Sequence, residues 1–162
     1  MFERILVSVD GSDTSNKALV TATQMAKDSA GRACLRLVHV LEDALTVGGY
    51  AQFGADLSGL QEAQASVRDS GNQLLDDALQ ITRSAGIAAD TQLLERHNNS
   101  LGAVISGAAQ RWHADLVVVG THGRHGLGRV LMGSGAEDIV RSALVPVLVV
   151  RMPAKTPENS LF

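Results

Sequence analysis

Short apolar runs alternate with longer amphipathic stretches along this chain. Five runs stand out: Ile5–Val9, Cys34–Leu41, Ala88–Leu94, Leu116–Val119 and Val147–Val150. Their β-branched content favours strand over helix, and their near-continuous apolarity is that of strands covered on both faces. Between them the apolar positions fall at helical spacing. Ala18, Leu19, Ala22, Met25 and Ala26 share one face, as do Val67, Leu74, Leu75, Ala78, Ile81 and Ala85. Leu101, Val104, Ile105, Ala108 and Trp112 form a third stripe, and Ala136 to Ala143 is a fourth helix-like stretch. Gly31 and Gly86 stand where helix C-caps are expected. Strand and helix alternating throughout predicts an α/β fold, with right-handed crossovers and a parallel sheet carrying helices on both faces.

Two stretches depart from this rhythm. Residues 43 to 60 hold four glycines without a clear period and read as a long loop, either a functional flap or an insertion. Residues 152 to 162, with Pro153 and Pro157, read as a flexible tail. The body of the chain, 1 to 151, is expected to be one domain, in keeping with a length of 162 residues.

Composition narrows the class. Fourteen basic against seventeen acidic residues give a net charge of -3, with no basic block to recommend nucleic acid or a membrane surface as partner. No apolar run approaches the ~20 residues of a membrane-spanning helix. One cysteine, Cys34, excludes a disulfide framework, and no signal-peptide pattern precedes the first strand. These features lead to the expectation of a cytoplasmic protein without membrane insertion.

The chemistry gathers near the C-terminal end. Gly120-Thr-His-Gly123 follows the fourth strand, and nine residues later Gly133-Ser134-Gly135 opens the last helix. Glycines let backbone N–H groups approach an anion closely, and a helix N-terminus offers unpaired donors and a positive dipole end. The arrangement points to a nucleotide phosphate. Ser134 also begins Ser-Gly-Ala-Glu137, a capping box, so its hydroxyl is expected to cap the helix. Asp10 ends the first strand in Asp10-Gly11-Ser12. A carboxylate repels phosphate, so a base amino group, a sugar hydroxyl or Mg²⁺ suits it better, while a turn-forming role is an equal alternative. Ser12 or Asp13 can supply the N-cap of the following helix. If strand 1 is central, with strands 4 and 5 on one side, Asp10 and Gly120 converge where strand order reverses, the place at which open α/β sheets bind ligands. His122 and His125 have His-x-x-His spacing without a third ligand, which is weak support for a metal. Arg124 and Arg129 can reach phosphate or simply face solvent. Trp112 lies on an apolar stripe and is expected in the core. The P-loop pattern, the Gly-x-Gly-x-x-Gly turn after strand 1 and a nucleophile elbow are all absent.

With these residues in view, the chain resembles the universal stress protein family over nearly its full length. The resemblance rests on Ile-Leu-Val-Ser-Val-Asp10-Gly-Ser, Leu-Val-His39-Val40, Ala-Asp115-Leu-Val-Val-Val-Gly120 and Val145-Pro-Val-Leu-Val-Val150. In the ATP-binding branch of that family the loop reads Gly-x2-Gly-x9-Gly-Ser/Thr, and Gly120, Gly123, Gly133 and Ser134 match every fixed position. The resemblance implies a single open five-stranded parallel sheet of order 3-2-1-4-5. It implies that Asp10 and the Val40 backbone hold adenosine. Ribose and the phosphates of ATP, with Mg²⁺ where it accompanies them, would lie on the turns Gly120-Thr-His122-Gly123-Arg124 and Gly133-Ser134-Gly135. Val145-Pro146-Val-Leu-Val-Val150 is apolar and lies at a sheet edge in that strand order, so a homodimer paired through the final strand is expected, as the resemblance also implies, unless the tail from Met152 folds back over the edge. A regulatory partner is expected that the sequence does not identify. One departure is Glu95-Arg-His97-Asn-Asn99, where the family often has a Gly-x-Pro turn; Asn99 or Ser100 can cap the third helix instead. A regulatory ATP binder is the expectation. A slow ATPase or autophosphorylating enzyme and a nucleotide-free dimeric scaffold are the alternatives. No general base is legible beside the glycine loop, so no catalytic residue is assigned.

Overall fold

The computed structural model describes residues 1–42, 57–121 and 132–152. Its elements run β1 (Arg4–Ser8), α1 (Asp13–Asp28), β2 (Cys34–Leu41), α2 (Leu57–Ser84), β3 (Ala89–Glu95), α3 (Leu101–Trp112), β4 (Leu116–Gly120), α4 (Ser134–Ser142) and β5 (Val147–Val150). All strand pairs are parallel, in the order β3-β2-β1-β4-β5 expected from the sequence. Strand order therefore reverses between β1 and β4, because β2 and β3 build outward on one side of β1 and β4 and β5 on the other.

Alternation along the strands builds two cores. Ile5, Val7, Leu35, Leu37, Leu116 and Val118 face one side, where they meet Ala18, Leu19, Ala22 and Ala26 of α1 and Leu75, Ala78 and Leu79 of α2. Leu6, Val38, Val117 and Val119 face the other, against Ile105, Ala108, Ala109 and Trp112 of α3 and Ala136 and Ile139 of α4. Trp112 is in the core as expected, 8 % exposed, with the guanidinium carbons of Arg4 and Arg36 4.7 and 4.9 Å from its ring centroid. Arg36 forms a bidentate pair with Asp90, and that hydrogen bond raises its pKa above the ordinary arginine value.

Several boundaries differ from expectation for local reasons. The patternless stretch expected over 43 to 60 overlaps α2, which already begins at Leu57; residues 43–56 lie outside the described residues. Val67 and Ile81, placed on the buried stripe of that helix by periodicity, are both 44 % exposed. The buried line instead runs through Gly71, Leu75, Ala78, Leu79 and Thr82. A helix of 28 residues is about 42 Å long, whereas a strand of seven or eight residues spans roughly 25 Å, so the N-terminal turns of α2 overrun the sheet. Ile81 lies about 100° around the helix from the buried Thr82. Gly86 has φ +75° and its N–H bonds the Arg83 carbonyl, closing α2 as expected. Ser29 is the C-cap of α1, and Gly31 follows it at φ +80°. Ser100, rather than Asn99, caps α3 by accepting the Ala103 N–H at 3.2 Å. No helix among the described residues is long and apolar enough to cross a membrane.

Candidate functional site

The crevice at the carboxyl ends of β1 and β4 is built from two turns and two helix N-termini. The register between these strands stops at Val7↔Val118, after which each chain departs toward its own helix. Beyond β1, the Asp10 N–H donates to Ser15 Oγ at 3.0 Å, and Asp10 Oδ1 accepts the Ser12 N–H at 2.8 Å. Gly11 between them has φ +79°. Ser12 then caps α1, its Oγ accepting the Ser15 N–H at 3.2 Å. Asp10 thus takes the turn-forming role with one oxygen, while its carboxylate stays half-buried at the mouth of the crevice.

Gly120 has a steric reason to be glycine. A Cβ there would lie 2.6 Å from the carbonyl carbon of Thr14 and 2.7 Å from the Ser15 nitrogen. The first turn of α1 packs its backbone against the last residue of β4, which holds the start of α1 on the carboxyl end of that strand. The chain leaves β4 through Thr121, 2 % exposed, whose N–H donates to the Val150 carbonyl at 2.9 Å. It returns at Gly133, whose N–H donates to the Thr121 carbonyl at 2.6 Å. Both ends of the glycine loop are tied together at the tip of β4. His122, Gly123, Arg124, His125 and Arg129 lie outside the described residues.

That tie changes the start of α4. The expected capping box is not formed: Gly133 is the N-cap, extended at φ −60° and ψ 150°, with no side-chain cap, and its carbonyl accepts the Glu137 N–H at 3.0 Å. The Thr121 bond draws Gly133 into the cap, so Ser134 becomes the first helical residue, and its exposed side chain does not cap. Among the described residues the N–H groups of Ser134, Gly135 and Ala136 meet no backbone acceptor, the condition that favours an anion at a helix start. The helix is seated by its neighbour. The Gly102 N–H of α3 donates to Asp138 Oδ2 at 2.6 Å, and Gly102 leaves room for the Asp138 backbone. Gly135 faces Leu101, where a Cβ would lie 3.0 Å from Cδ2.

Val40 lies on β2, opposite Leu94 of β3, with its side chain against the second core. Two residues outside the glycine pattern shape this end of the sheet. His39 Nδ1 lies 2.8 Å from the Val9 carbonyl, and Asp138 joins α4 to α3. His39 stood within a quoted motif, but its partner is thirty positions away. Among the described residues no group of three His, Cys, Asp or Glu side chains can hold a metal ion.

A doubly wound parallel sheet whose strand order reverses between β1 and β4 defines the open α/β class, in which a crevice at that switch point is the usual place for a ligand. Comparison narrows the class: the sequence profile of the Universal stress protein family matches residues 1–151. A universal stress protein of Methanocaldococcus jannaschii is 30% identical over 155 residues, covering 96% of this chain and 85% of that one. The crystal structure of a universal stress family protein from Burkholderia pseudomallei superposes with a TM-score of 0.68 at 31% identity, covering 91% of this chain and 95% of the other. The Archaeoglobus fulgidus universal stress protein, in complex with dAMP, gives a TM-score of 0.59 at 25% identity, covering 91% and 97%. The chain belongs to the universal stress protein family.

Proposed function

We propose that this protein is a regulatory binder of adenine nucleotides, with ATP held in the crevice between β1 and β4. The observation that carries the reading is the bond between Gly133 N–H and the Thr121 carbonyl. It keeps the first turn of α4 beside the tip of β4, and the last residue of β4 packs on the α1 turn that follows Asp10, so donors for phosphate and a carboxylate suited to the nucleoside belong to adjoining strand ends. The complete Gly-x2-Gly-x9-Gly-Ser spacing supports the same reading, as does the dAMP in the Archaeoglobus fulgidus relative. Asp10 and the Val40 backbone would take adenosine. Gly120, His122, Gly123 and Arg124 would line the loop around ribose and phosphate, and Gly133, Ser134 and Gly135 would meet the phosphates. Asp10 is a single carboxylate with one oxygen committed to its turn. Mg²⁺ would therefore enter with the polyphosphate rather than occupy a protein cage. Binding would act by favouring one conformational or association state through differential affinity.

The association state we propose is a homodimer through β5. That strand is an edge of the sheet, and Val147, Leu148 and Val149 are half-buried in the single chain. Leu144 beside it is 76 % exposed. An uncovered apolar edge pairs readily with a copy of itself about a two-fold axis. The nucleotide reading is tested by mass spectrometry of small molecules released on denaturing freshly purified protein, with calorimetric titration of AMP and ATP. Recovery of no adenine nucleotide, together with no heat on titration, would overturn it.

A further inference from the structure

The β1–β2 ladder stops one rung short. In a parallel pair, a residue facing its partner strand both donates to it and accepts from it. Val9 donates its N–H to the Val38 carbonyl at 2.8 Å. The matching rung would run from the Val40 N–H to the Val9 carbonyl. Among the described residues it is not formed, and the register ends at Ser8↔Val38. The Val9 oxygen lies instead 2.8 Å from His39 Nδ1. A carbonyl only accepts, so Nδ1 carries the proton of this contact. The side chain between Val38 and Val40 thus bonds the oxygen that the Val40 main chain would use, and although a carbonyl can accept twice, the Val40 N–H does not join it among the described residues.

The ring is fixed from the other side by α2. A Cβ at Gly71 would lie 3.1 Å from His39 Cδ2, 3.0 Å from Leu41 Cδ2 and 2.9 Å from Leu93 Cδ1. The helix therefore approaches His39 through a glycine, and the half-buried ring is confined between α2 and the end of β1. The consequence falls on Val40. Its N–H and C=O point the same way as those of Val38, two residues earlier, and hence toward β1. They do so at the level of Asp10, where β1 has already turned away. One donor and one acceptor stand side by side there. That pair complements the N1 and N6 amino edge of adenine, which accepts and donates; hypoxanthine, with N1–H and O6, offers the reverse.

We propose that His39 is a positioning residue for base recognition. By engaging the Val9 carbonyl it keeps this rung open and presents the Val40 N–H and C=O to an adenine edge. The proposal rests on the nucleotide reading above. Asn and Leu substitutions separate the hydrogen bond from mere bulk, since an Asn amide can donate from near the position of Nδ1 and Leu cannot donate. Adenosine and inosine, both without phosphate, are the probes, titrated calorimetrically. In His39→Leu, adenosine should bind at least tenfold more weakly and its preference over inosine should collapse, while His39→Asn restores both. Hydrogen exchange supplies a readout on the wild type itself. Without ligand, the Val40 amide should exchange faster than that of Val38, and in His39→Leu it should gain protection as the rung closes. A protected Val40 amide in the ligand-free wild type overturns the proposal even if every variant fails to fold. So does a folded His39→Leu protein that binds adenosine as the wild type does. A wild type that binds neither adenosine nor AMP removes the nucleotide reading and this proposal together, an outcome distinct from a binding wild type with an indifferent variant.

Discussion

Gly120 opens the glycine pattern that suggests a nucleotide, yet its surroundings assign it a load on the fold. In Gly120→Ala the new Cβ meets three backbone atoms: Thr14 C at 2.6 Å, Ser15 N at 2.7 Å and Thr14 O at 2.8 Å. Ordinary contacts of this kind lie near 3.5–4.0 Å, so α1 and β4 must separate by roughly 1 Å. No side-chain rotation can absorb the shift, because all three atoms are main chain. They belong to the turn that carries the Ser12 cap and the Asp10 contact. Overpacking of a core by a methyl group costs about 1–3 kcal/mol, and the upper half of that range applies where backbone must move. At 2–4 °C per kcal/mol for a domain of this size, the melting temperature should fall by roughly 4–12 °C. Gly133 sets the control. Its φ of −60° suits any residue, and an alanine N-cap costs on the order of 1 kcal/mol or less relative to glycine. Thermal unfolding of Gly120→Ala, Gly133→Ala and wild type, followed by circular dichroism without nucleotide, makes the comparison. A Gly120→Ala protein melting within 1 °C of wild type would refute the steric argument and return Gly120 to the ligand alone.

Four further outcomes follow from the same geometry. Gly133→Val should fold but lose most of its ATP affinity by titration, because a branched side chain intrudes where backbone must approach phosphate. Asp10→Ala should weaken adenosine binding by roughly 1–3 kcal/mol, the scale of a lost charged hydrogen bond; tighter ATP binding would instead show that relief of phosphate repulsion dominates. Asp138→Ala should lower stability by about 1–2 kcal/mol in denaturant titration through loss of the Gly102 N–H partner, with Asp138→Asn recovering part of it by keeping an acceptor. Leu148→Lys should shift the light-scattering mass from a dimer toward 17.0 kDa, and a wild type already at that mass would remove the β5 dimer.

The sheet was legible because its information is local and periodic. Val117 and Val119 face one core and Leu116 and Val118 the other, so an unbroken apolar run announces a strand with helices on both sides. Apolar spacing at 3.6 likewise placed α1 and α3 to within a few residues, since each is about as long as the sheet face it covers. It misassigned Val67 because spacing reports a face but not where the sheet beneath it ends. The site was legible only as composition. In the sequence a glycine signifies freedom to bind phosphate, whereas at Gly120 the space is filled by the backbone of Thr14 and Ser15. Ser134 was read as a cap from Ser-x-x-Glu, but a long-range bond from Gly133 to Thr121 moved the helix start by one residue. His39 looked like one more position in a buried strand, and its bond to Val9 crosses thirty residues. Patterns within one element encode which side of it is buried. They do not encode which atom of another element lies opposite, and this crevice is made of such oppositions. Its chemistry therefore depends on pairs such as Gly120 with Ser15, Gly133 with Thr121 and His39 with Val9. A substitution that keeps the glycine pattern intact but breaks one of these pairs should disable the crevice as surely as one that breaks the pattern.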